Sequence, residues 1–190
     1  MHPSAKNWLK TALRSGDLDD LGFLWRGSLR FDQREHRTMQ FFANFSNLNI
    51  KFNSNWPEAK ELSGLVLLDD REFSIWTDNG IMENIGLDFI SAELFPVPSE
   101  GYQLELATHS DTDAGDFLSL VNQTPLSDLS RDAFRYWGIE GATSLTLGLQ
   151  MDLSEGFNSL IVDADAVLRS VDIHVRPENI EIGDINGIIR

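Results

Sequence analysis

Residues 23–31 read FLWRGSLRF, and this stretch decides the fold. Phe23, Trp25, Gly27, Leu29 and Phe31 alternate with Leu24, Arg26, Ser28 and Arg30. A period of two belongs to a half-buried strand, because successive side chains point to opposite faces. The aromatic set predicts a core-facing side, and Arg26 and Arg30 predict a solvated one. Truncating a buried aromatic costs about 3–5 kcal/mol, whereas an exposed arginine costs under about 0.5 kcal/mol. Trp25→Ala is therefore expected to cripple stability, and Arg26→Ala and Arg30→Ala to leave it intact.

The same period runs on either side. Residues 39–45 and 48–52 alternate again, which predicts a hairpin turning at Ser46 and Asn47. Residues 53–63 read as a connector in which Pro57 opens one helical turn. Residues 65–68 and 72–76 predict two strands around Asp69 and Asp70. Asp78-Asn79-Gly80 is the strongest turn signal of the chain, since Asn and Gly tolerate positive φ. Ile85, Leu87 and Phe89 alternate until Pro96, and Tyr102, Leu104 and Leu106 make another short strand.

Helices are expected in three places. Ser4 caps a stripe of Trp8, Leu9, Ala12 and Leu13, with Gly16 as its stop. Residues 16–22 then read as a turn or a second short helix. Asp113 or Asp116 leads into FLSLVNQ, and Ser127 opens a second central helix that ends at Gly138. Residues 143–151 alternate as a strand, and 157–162 and 167–175 are apolar runs that fit strand or helix. The expected fold class is α+β. It is a single domain over residues 1–190, mainly an antiparallel meandering sheet with a short N-terminal helix and two central helices. Residues 176–190 are expected as an extended tail or an edge strand.

The chain has 190 residues, a formal charge of −15 and no Cys. Disulfides, thiol nucleophiles and Cys-ligated metals are excluded. Residues 1–57 hold eight basic and five acidic residues, a balance of +3, and residues 58–190 carry −18. The acidic part repels phosphate, so nucleic acid and anionic membrane are unfavoured partners. Arg26, Arg30, Arg34 and Arg37 beside Phe42, Phe45 and Phe52 resemble a stacking platform for single strands, but the remaining charge opposes it. Nothing in the first 15 residues resembles a secretory signal, which gives a cytoplasmic expectation.

Chemistry is sparse. Asp111, Asp113 and Asp116 cluster, but an EF-hand loop counted from Asp111 needs Gly at position six and Glu at position twelve. Asp116 and Asn122 stand there instead. Asp163 and Asp165 lack a third ligand, and no His is read with a metal-ligand partner at close spacing. No metal and no cofactor are expected. No nucleophile elbow, zinc-helix or phosphate-loop motif occurs. His109 with Asp111, or His36 with Glu35, could form a catalytic pair only by folding. The leading expectation is a non-enzymatic, bacterial-type acidic module of the inhibitor or immunity kind, which neutralises a basic partner protein such as a toxin. Its partner-binding residues are expected among Arg26, Arg30, Asp111, Asp113 and Asp116. An enzyme with a carboxylate site around residues 109–116 is the alternative, and an assembly component the second.

Overall fold

Long alternating runs build one sheet. In the computed structural model, which describes residues 10–28, 37–98, 101–127, 134–176 and 178–190, ten strands pair antiparallel throughout. They are β1 (Leu13–Gly27), β2 (Arg37–Ile50), β3 (Ala59–Asp69), β4 (Glu72–Met82) and β5 (Ile85–Leu87). β6 (Phe89–Pro96), β7 (Tyr102–Asp113), β8 (Trp137–Asp152), β9 (Ile161–Val175) and β10 (Ile180–Ile189) follow. The path runs β1-β2-β3-β4-β6-β7-β8-β9-β10, and β5 pairs with β4 beside it. The helix α1 (Ala114–Gln123) lies between β7 and β8. A 3-10 turn covers Gly156–Ser159. The expected antiparallel meander is present, and among the described residues the helical share is small.

Several expectations are corrected, and one physical cause accounts for two of them. Asn47 does not turn a hairpin; β2 runs through it as a single strand, with Asn47 at φ 52. Asp78-Asn79-Gly80 is not a turn either, but lies inside β4. Both places lie at a β-bulge, where one strand carries an extra residue; Asn47 itself takes the left-handed backbone at the first, and Glu61 of the partner strand, at φ 55, takes it at the second. The chain reverses after β3, at the expected Asp69-Asp70 with Asp70 at φ 51, and after β4, with Glu83 at φ 53. Pro57 opens no helix, because Ala59 already begins β3 and its burial at 2% exposure rewards the sheet. Residues 16–22 are strand, and Leu13 and Gly16 belong to β1; only residues 10–12 of the expected N-terminal helix are described, and they are helical. Leu126 and Ser127 are helical and residues 128–133 lie outside the described residues, but the expected helix does not reach Gly138: residues 134–136 form a turn and Trp137 already begins β8. Asp163 and Asp165 lie in β9. The tail is an edge strand, β10.

The buried core sits at one end of the sheet. Phe45, Ala59, Leu62, Met82, Ile85 and Leu87 form a cluster, and Phe117 and Leu120 of α1 pack against it. Asp113 fixes where that helix starts. Its Oδ1 accepts the Gly115 N–H at 2.8 Å and its Oδ2 accepts the Gly141 N–H at 2.9 Å. The first bond satisfies an orphan donor of the helix N-terminus, and the second ties the cap to β8. Asn84 donates to Asp116 at 3.2 Å, holding the β4–β5 turn against the same helix.

Candidate functional site

Residues paired across antiparallel strands share a face, so the register sorts every side chain. Phe23, Phe41, Leu68, Phe73, Leu94, Leu104 and Met151 form one row across seven strands. The adjacent row on that face is Leu21, Ala43, Val66, Ile75, Ala92, Leu106, Leu149 and Val162. Every member of both rows is apolar. With about 4.8 Å between strands, the rows run roughly 30 Å across the sheet. The opposite face is mixed: one row carries Phe42, Leu67, Ser74, Glu93, Glu105, Gln150 and Ile161, and the next Leu65, Trp76, Ser91, Ala107, Gly148 and Asp163, so its polar side chains concentrate on β6–β8.

A sheet with one apolar face normally buries it against a second layer. Here α1 covers only the core end. None of the seven side chains in the first row is buried among the described residues, and Phe23 is 60% exposed. Single exposed apolar residues are ordinary, but a contiguous strip of this length marks an interaction surface. Both sheet edges, β1 and β10, also lack a neighbouring strand among the described residues. The edge strands add exposed Leu13, Leu18, Leu24, Ile180, Ile182 and Ile188.

The polar face carries a separate constellation. His109 and Asp111, two residues apart in β7, project to the same side, and Asp88 joins them from the β5–β6 junction. One ligating atom from each lies within 4.8 Å of the others. His109 Nε2 is 3.8 Å from Asp88 Oδ2, and His109 Nδ1 is 3.2 Å from Thr146 Oγ1. The Phe89 ring stacks on the imidazole, 6.4 Å between centroids. Asp111 Oδ1 accepts a 2.5 Å hydrogen bond from Ser144 and stands 3.9 Å from Arg169.

The residues singled out in the sequence therefore disperse. Asp111 belongs to this constellation, Asp113 is a helix cap, and Asp116 holds a turn. Arg26 is exposed on the polar side of β1, opposite Thr38 in the register, and Arg30 lies outside the described residues. His36 is also outside them, and His174 pairs with Glu181 at 3.5 Å. Asp163 and Asp165 share a face but are exposed; Asp165 meets Arg190 at 3.6 Å. The reading that no His has a close ligand partner overlooked the i, i+2 spacing of His109 and Asp111, which a strand turns into a pair. Asp88 carried no local signal. The apolar rows were readable strand by strand, but their union across the sheet needed the register.

The sequence model of the family described as YhdP protein matches residues 1–190. The chain belongs to the YhdP protein family. No curated protein and no solved structure matches it. No helix among the described residues of this YhdP-family chain is long and apolar enough to cross a membrane.

Proposed function

We propose that this chain is a non-enzymatic binding scaffold whose apolar sheet face holds an elongated apolar ligand of the acyl-chain kind. The observation that carries the reading is the pair of unbroken apolar rows, of which the first has no buried member, while the second is covered at Ala43 and packs on the core at Val66 and Ile75. Chemistry selects the occupant. An extended peptide laid on these rows would leave backbone donors and acceptors facing side chains that cannot pair with them, at about 1–3 kcal/mol each. A hydrocarbon chain has no such groups and gains about 0.8 kcal/mol per methylene removed from water. Glu93, Glu105 and Asp163 on the opposite face keep that part of the scaffold solvated.

The test is binding of a fluorescent fatty acid. Leu104→Glu places a charge in the middle of the first row and is expected to abolish binding with the far-UV circular dichroism unchanged. Gln150→Glu adds the same charge on the polar face and should leave binding intact. Binding that survives Leu104→Glu removes the apolar face from consideration.

A second reading has its own observation. The edge of β1 pairs with no second strand among the described residues and carries exposed Leu18, Leu21 and Phe23, which suits a partner protein adding a strand. The expected inhibitor or immunity role is a special case of it, in which the −18 balance of residues 58–190 steers a basic partner. An association rate with such a partner that stays constant between about 50 mM and about 500 mM salt rules the steering out.

A further inference from the structure

We propose that Asp88, His109 and Asp111 form a binding site for a divalent transition metal on the polar face of the sheet, independent of whatever the apolar face holds. The site is built from two strand positions and one junction. His109 and Asp111 leave β7 on the same side, and the Asp88 backbone N–H donates to the His109 carbonyl at 3.0 Å, which locks the third donor beside them. The Asp111 N–H in turn donates to Asp88 Oδ2 at 3.3 Å. Ligands bound at 2.0–2.2 Å in a tetrahedron stand about 3.3–3.5 Å apart. His109 Nε2 and Asp88 Oδ2 are already at 3.8 Å, and all three donors fall within 4.8 Å. Rotation of the exposed Asp88 side chain closes the remainder.

The imidazole distinguishes this trio from the other acidic pairs of the molecule. Ligating histidines characteristically engage their second ring nitrogen with a neighbour that fixes tautomer and orientation. Thr146 Oγ1 stands at His109 Nδ1 in that role, and Phe89 holds the ring plane from one side. Ser144 and Arg169 occupy Asp111 Oδ1, which orients that carboxylate. One nitrogen with two carboxylates suits Zn²⁺, Co²⁺ or Mn²⁺, whereas Ca²⁺ prefers six or more oxygens. Three protein ligands leave positions for water. Bound metal would cross-link the β5–β6 junction to β7.

The experiment is titration of the full chain with Co²⁺, followed by calorimetry and by visible absorption, with Ca²⁺ in parallel. One Co²⁺ per chain is expected, together with the absorption of a low-coordinate site and a raised Tm, because the ion binds the folded state alone. His109→Ala and Asp88→Asn should abolish all three signals. Thr146→Val should weaken affinity by about 10–100-fold without removing the site. Asp163→Asn, on the same face but outside the trio, should change nothing, and circular dichroism of each variant checks the fold. Absence of saturable Co²⁺ binding overturns the proposal. So does binding untouched by His109→Ala, or Ca²⁺ binding as tight as Co²⁺.

Discussion

The Asn49 side-chain oxygen accepts the backbone N–H of Glu61 at 3.0 Å, while its amide nitrogen donates to Ser15 Oγ at 3.0 Å. One side chain of β2 thus ties both neighbouring strands at the points where their ladders are interrupted. The arrangement recurs. Asn79 accepts from Ser63 N at 3.1 Å, Asp172 from Asp184 N at 2.8 Å, and Asn186 from Ser170 N at 2.9 Å. A bulge leaves a backbone donor without its ladder partner, and an Asn or Asp on the next strand supplies one. The bulges keep the apolar face in phase. Phe45 to Leu48, Ala59 to Leu62, Leu168 to Val171 and Ile182 to Ile185 are each three residues apart, a spacing that plain alternation would split between faces.

Glu61 holds φ 55 at its bulge, a region that costs a side chain with Cβ about 1–2 kcal/mol. Glu61→Gly should therefore be tolerated, changing stability by less than about 1 kcal/mol as relieved strain offsets lost chain stiffness. Glu61→Val should lose about 1–2 kcal/mol, since a branched Cβ suits that backbone least. Denaturant midpoints measure both, and a variant order with Val above Gly contradicts the bulge.

Gly64 faces backbone rather than space. A Cβ there would stand 1.9 Å from the Trp76 carbonyl oxygen, and backbone cannot step aside as a side chain tip can. Gly64→Ala should cost at least about 1–3 kcal/mol through the β3–β4 pairing. Gly86→Ala meets nothing within 4 Å and should be near neutral. Equal midpoints for the two variants would mean that β3 and β4 are not this close.

The sheet was legible where alternation was strict, as in residues 143–151, and the Asp113 cap was legible from its place before FLSLVNQ. The errors share a cause. Asn47 and Asp78-Asn79-Gly80 carry turn chemistry, yet both lie at bulges within long strands, and only the pairing with the partner strand decides between bulge and turn. Long strands were read as pairs of short ones for that reason. Asp88 stayed invisible because its neighbours His109 and Asp111 are some twenty positions away in sequence and adjacent only through the β6–β7 register.

Two hydrogen bonds from Ser154, side chain at 2.6 Å and backbone at 2.8 Å, hold the Asp152 carboxyl below the ordinary carboxylate range. The folded state therefore prefers the ionised form more than the unfolded chain does. Its contribution is present above the unfolded carboxylate value and fades as pH falls toward the lowered folded value. Asp152→Ala should be less stable than the parent at neutral pH, and the gap should narrow in acid. Thermal melts across that range show it; a gap that widens in acid reverses the sign of the shift.

Trp25 is where the first sequence expectation meets the structure. It shares a face with Phe23 as the alternation demands, and Arg26 takes the other. Yet β1 is an edge strand, Phe23 is 60% exposed, and Trp25 is only partly buried. Its covering is the Arg37 guanidinium, 5.3 Å from the ring centroid, and the Phe23 ring at 6.5 Å. Its Nε1 is enclosed without a hydrogen-bond partner among the described residues, which subtracts from what the indole contributes. Leu62, 3% exposed in the core cluster, has no such offset. Leu62→Ala should cost about 2–5 kcal/mol by lost transfer energy and the cavity left. Trp25→Ala should cost less than that, about 1–2 kcal/mol, and Phe23→Ala under about 0.5 kcal/mol. Trp25→Phe, which deletes the orphaned N–H and keeps an aromatic beside Arg37, should lose less than Trp25→Ala. Denaturant melts of the four variants rank them. A Trp25→Ala loss equal to that of Leu62→Ala would show the indole to be fully buried, and the apolar face at β1 to be covered after all.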